Sequence, residues 1–103
     1  MTYNFPDSER NDTLNEVEFQ LKINTLAINL TGSSILATFM LNLEVRTMTI
    51  GSGLSFTDAA QGKFKVNEQI IDWKKGRWAY EIQFTFTDGR KKTYLKGFLN
   101  ITD

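Results

Sequence analysis

The chain has 103 residues, with 12 basic and 12 acidic side chains, 13 % aromatics, and neither Cys nor His. That length makes one domain with core enough to fold without staples, and the two missing residue types exclude disulfides, thiolate metal sites, cysteine nucleophiles and the commonest general base. No apolar run nears the roughly 20 residues of a membrane span and Met1–Arg10 has no signal-peptide core, so a soluble protein made in a cytoplasm is expected.

Residues 1–13 are polar and contain the single Pro, with Tyr3 and Phe5 as their strong apolar side chains. They read as an extended N-terminal arm ahead of a single β-sandwich domain, residues 14–103. Too apolar-poor to fold on itself, the arm is predicted to lie across a neighbouring subunit, with Tyr3 and Phe5 as anchors in its pockets.

Period-two alternation then dominates, and successive strand side chains point to opposite faces. Val17, Phe19, Leu21 and Ile23 are predicted inward, followed by Leu26, Ile28 and Leu30. The run Thr31-Gly32-Ser33-Ser34 breaks the pattern. The longest alternation is Ile35, Ala37, Phe39, Leu41, Leu43 and Val45, with Leu36 and Met40 on its opposite face. Residues 47–62 are the loosest stretch, a loop or irregular edge strand around Leu54 and Phe56. Phe64 and Val66 mark a short strand, and Lys74-Lys75-Gly76 turns into the strongest signal. Trp78, Tyr80, Ile82, Phe84 and Phe86 alternate with small or polar residues. Asp88-Gly89 follows as a two-residue hairpin turn with positive φ at Gly89, and a last strand runs from Lys91 to Thr102. Gly97 inside that strand signals a bulge or a close backbone approach.

No helical periodicity is present. About seven short strands separated by turns predict an all-β fold, an immunoglobulin-like antiparallel β-sandwich. The spacing Gly76-x-Trp78-x-Tyr80 suits an immunoglobulin-type corner, where Trp78 would hydrogen-bond an upstream backbone group through its indole N–H.

Charge is split along the chain. Residues 1–60 carry seven acidic and three basic groups, and residues 61–103 carry five and nine, so the parts are −4 and +4. Solvated strand faces account for this, and head-to-tail contact between copies is the sharper reading. No nucleic-acid module pattern accompanies the basic half. No nucleophile–base pair assembles without His or Cys, and Glu16, Glu18 and Glu81 sit at outward strand positions. Asp58 stands alone in the Gly-rich segment, which is too few ligands for calcium. The chain is therefore expected to have no catalytic residues, cofactor or metal, and not to be an enzyme. Tyr94 and Phe98 alternate opposite to Leu95, Leu99 and Ile101. They are candidates for partner binding alongside Tyr3 and Phe5, or for a sugar-stacking platform.

The order of several short motifs resembles a known group. Asn11-Asp-Thr13, Phe19-x-Leu-x-Ile23 and Ala27-Ile-Asn-Leu-Thr-Gly32 followed by Ile35 open the chain. Gly62-Lys-Phe-Lys-Val66, Gly76-x-Trp-x-Tyr-Glu-Ile82, Asp88-Gly-Arg90, Thr93-Tyr94 and Gly97-x-Leu-Asn-Ile-Thr-Asp103 close it. This pattern is similar to the amino-terminal domain of siphophage baseplate upper proteins and related neck or head-fibre attachment proteins. Asn11 and Asn29 depart from it, standing where the pattern has Gly and Asp. The resemblance implies a structural or adaptor protein of a tailed-phage virion, docked to other virion proteins or to copies of itself. It implies no catalysis, and no membrane, nucleic-acid or small-molecule partner is expected. The alternative is a small carbohydrate-binding or adhesion module of β-sandwich type.

Overall fold

The structure, a computed structural model, describes residues 2–102. Its strands are β1 (Ser8–Glu9), β2 (Thr13–Leu14), β3 (Val17–Gln20), β4 (Lys22–Ile23), β5 (Leu26–Ala27) and β6 (Ser34–Leu41). They continue with β7 (Glu44–Ile50), β8 (Gly53–Asp58), β9 (Lys63–Val66), β10 (Gln69–Ile70), β11 (Gly76–Thr85) and β12 (Lys91–Thr102). One 3-10 turn, Ala59–Gln61, precedes β9, and no described residue is in an α-helix.

The fold is an all-β sandwich whose main, curled sheet has the order β1-β12-β11-β6-β7-β8-β9-β3, with two two-stranded sheets, β10-β2 and β4-β5, beside it. Two pairings, β1 with β12 and β7 with β8, are parallel, and the others in that sheet are antiparallel. The curl brings Phe64 of β9 to 5.5 Å from Phe84 of β11, ring centre to ring centre. Alternation in β11 works as the sequence predicts: Trp78, Tyr80, Ile82 and Phe84 are all buried, and each contributes about 1.5–3 kcal/mol by leaving water. The Trp78 indole N–H donates to the Lys74 carbonyl at 2.8 Å, the expected upstream bond.

Three expectations about local structure need correction. The long alternation from Ile35 to Val45 is not one strand, because Asn42 adopts φ +54° and the chain reverses there into the β6–β7 hairpin. Leu43, expected inside, is the hairpin tip and is 99 % exposed. In the same way Asn24 and Thr25, both at positive φ, turn β4 into β5 and leave Leu26 exposed. The Asp88-Gly89 turn is longer than two residues. The Phe86 N–H bonds the Arg90 carbonyl, so Thr87, Asp88 and Gly89 form the loop, with Gly89 at φ +90°.

The N-terminal segment is extended, but it is fastened to its own domain. Thr2 bridges Lys96 in parallel, Tyr3 N–H donates to the Lys96 carbonyl at 3.0 Å, and Phe5 N–H donates to the Phe98 carbonyl at 2.9 Å. Phe5 enters the core against Tyr80 and Phe39, at 5.0 and 6.2 Å. Gly97 is the close approach that the sequence signals, since a Cβ there would overlap the Tyr3 carbonyl. The physical reason is simple: burying an aromatic ring at the mouth of its own curled sheet removes apolar surface that a free arm would leave in water.

Candidate functional site

Because side chains alternate, the face of β12, β11, β6 and β7 turned away from the core collects one residue in two from each strand. The register aligns Phe98 with Ala79, Ala79 with Met40, and Met40 with Val45, so these four form one row across the sheet. Phe98 is 36 % exposed, Met40 41 % and Val45 55 %. The Arg77 guanidinium lies 3.8 Å from the centre of the Phe98 ring, a stacked cation that holds the ring's orientation. In the next row Lys96 stands opposite Glu81, and Glu81 opposite Thr38. Phe98, Met40, Ala79, Glu81 and Lys96 border a shallow groove of about 350 Å³. The site is therefore an apolar strip with an aromatic end and a charged margin, set across four paired strands.

Of the four residues named for partner binding, Phe98 alone reaches this face. Tyr94 is turned inward by a bulge: Leu95 pairs with Ile82 and Thr93 with Gln83, which leaves Tyr94 as the extra residue. Its ring packs 5.9 Å from Phe84 and 6.3 Å from Phe86. Phe5 is in the core, and Tyr3 is half-buried edge-on against Phe5 and Phe19. Alternation put Ala79 and Glu81 on the outward face without joining them into a platform, and sequence reasoning missed Arg77 and Lys96 as its members. Alternation did mark Met40 as facing away from the core, whereas Val45 was assigned to the wrong side by the concealed turn.

A second concavity, about 570 Å³, lies between the N-terminal segment and β3. Asp7, Glu9, Asp12, Glu16 and Glu18 line it, and Lys65 Nζ meets Glu16 Oε2 at 3.1 Å. Among the described residues no group of three or more acids is placed to hold a metal ion.

Fold and face together define a β-sandwich with an open sheet platform. Searched as a sequence, the chain matches no family model and no curated protein. Among solved structures it is similar to a putative glycoside hydrolase from Bacteroides vulgatus ATCC 8482, with a TM-score of 0.51 and 17 % identity. The likeness covers 94 % of this chain and 16 % of that one, so the fold recurs as a small part of a much larger protein. This finding overturns the expectation that the chain is not an enzyme. The expectation rested on the missing His and Cys and on the outward placing of Glu16, Glu18 and Glu81, whereas the hydrolase name belongs to the neighbour, with which this chain shares the fold alone.

Proposed function

We propose that this domain is a docking module of a tailed-phage virion, bound to another virion protein through the outer face of β12, β11, β6 and β7. The observation that carries the reading is the exposed row Phe98–Ala79–Met40–Val45 with Arg77 stacked on its aromatic end. Aromatic, Met and Arg side chains ringed by polar groups are the composition of interface centres. A contiguous apolar strip on a sheet is also costly to leave in water without a partner. The virion as setting is supported by the sequence resemblance, which runs from about residue 11 to the end. The test is Met40→Asp, a change on an exposed position that leaves the core intact. It is expected to keep the folded circular dichroism spectrum and to lower the copies incorporated per purified particle at least tenfold. Wild-type incorporation would remove this face from the attachment.

A second reading, a carbohydrate-binding module, is favoured by the exposed Phe98 ring beside a groove with Glu81 and Lys96, and by the glycoside hydrolase likeness. Glycan-array binding that disappears in Phe98→Ala would select it.

A further inference from the structure

The edge of β7 carries an unmet pairing potential. β7 meets β8 only at Thr49 and Ile50, so from Glu44 to Met48 its far side faces no strand among the described residues. Glu44 closes the hairpin against Leu41, which directs the backbone groups of Glu44, Arg46 and Met48 toward β6 and those of Val45 and Thr47 outward. Thr49 agrees with this parity, as its N–H leaves β6 and donates to the Ser52 carbonyl at 3.0 Å. Exposed edges are normally blunted with charged side chains, Lys above all, or with Pro or a bulge. The stretch Glu44-Val-Arg-Thr-Met48 has no Lys, Pro or bulge, its two charges are of opposite sign, and both faces of residues 44–47 are exposed.

We infer that this edge pairs with the same edge of a second copy, antiparallel about a two-fold axis at Val45. In that register each Val45 exchanges both backbone bonds with its counterpart, a geometry that needs outward-directed groups on both strands. Glu44 then stands opposite Arg46 of the second copy, twice over, and Leu43 stands opposite Thr47. The alternatives are poorer. Centring on Arg46 sets two guanidinium groups against each other, and centring on Thr47 runs into Thr49, whose outward side is taken. Charge complementarity therefore selects both the occupant and the register. The apolar rows of the two copies become one continuous row across the axis, because Val45 ends each row. This goes beyond the docking reading and does not depend on what the outer face binds.

Sedimentation velocity across micromolar to millimolar concentrations tests it. The wild-type chain is expected to approach twice its monomer mass. Val45→Pro removes an outward N–H without touching a β6–β7 bond, and is expected to stay folded and monomeric. Arg46→Glu is expected to raise the dimer dissociation constant about tenfold. The exchange Glu44→Arg with Arg46→Glu is expected to restore it. A wild-type chain that stays monomeric overturns the inference, as does a dimer indifferent to Arg46→Glu. Failure of the exchange to restore pairing overturns the register.

Discussion

The Tyr80 hydroxyl donates to the Tyr3 carbonyl at 2.5 Å from within the core. Burial, and secondarily the neighbouring Tyr3 phenol, push its pKa well above the ordinary value of 10.0. An acid whose folded pKa is raised stabilises the fold fully below its unfolded pKa, and that contribution is lost as pH rises through the gap. Stability should thus fall above about pH 10, with a slope approaching about 1.4 kcal/mol per pH unit. Tyr80→Phe should lose about 1 kcal/mol at pH 7, the worth of one hydrogen bond, and show a flatter alkaline limb in urea titrations. Equal limbs in the two proteins would place the linkage on another group. At this scale the sequence was legible wherever a residue type has one physical use. Trp78 found its backbone acceptor, and Gly97 marked a close approach, although nothing in the sequence says that the approaching group is Tyr3.

Between elements, legibility depends on whether a turn or bulge has a composition signature. Asp88-Gly89 has one, and the β11–β12 hairpin was readable to within one residue of loop length. Asn42-Leu43 has neither Gly nor Pro, so alternation ran through it and concealed both the hairpin and the exposed Val45. The bulge at Tyr94 inserts a single residue, which reverses facing without altering composition. That is why Tyr94 and Phe98, four residues apart, do not share the platform. The Gly89 position isolates backbone conformation from packing: no atom lies within 4 Å of a Cβ placed there, yet φ is +90°. Gly89→Val should therefore cost at least the ~1–2 kcal/mol of forcing an L-residue into left-handed conformation. Gly89→Asn should cost less than half of that, since Asn tolerates the region. A denaturant midpoint unchanged by Val would mean that the loop can adopt another conformation at no expense.

Across the whole molecule the N-terminal segment does what no strand of the hairpins does, running parallel to β12 and placing Phe5 among the rings of Phe19, Phe39 and Tyr80. Composition alone made residues 1–13 look separable, because a single Phe and Tyr cannot form a core by themselves. They need not, since β12 supplies the pairing edge and the curled sheet supplies the pocket. A truncation therefore acts on the core itself. Removing residues 1–10 takes away Phe5, leaves a cavity beside Phe39 and Tyr80, and strips the partners from the Lys96, Phe98 and Thr102 carbonyls. The packing loss alone is about 3–5 kcal/mol, a large part of the 5–15 kcal/mol that holds an ordinary domain together. Phe5→Ala separates packing from pairing: it should show most of that loss while the backbone bonds to β12 remain. Thermal and urea unfolding of the two variants beside the wild type would measure both contributions. A truncated chain with the wild-type midpoint would show that the segment stabilises nothing in its own domain, and would return Tyr3 and Phe5 to a neighbour's surface.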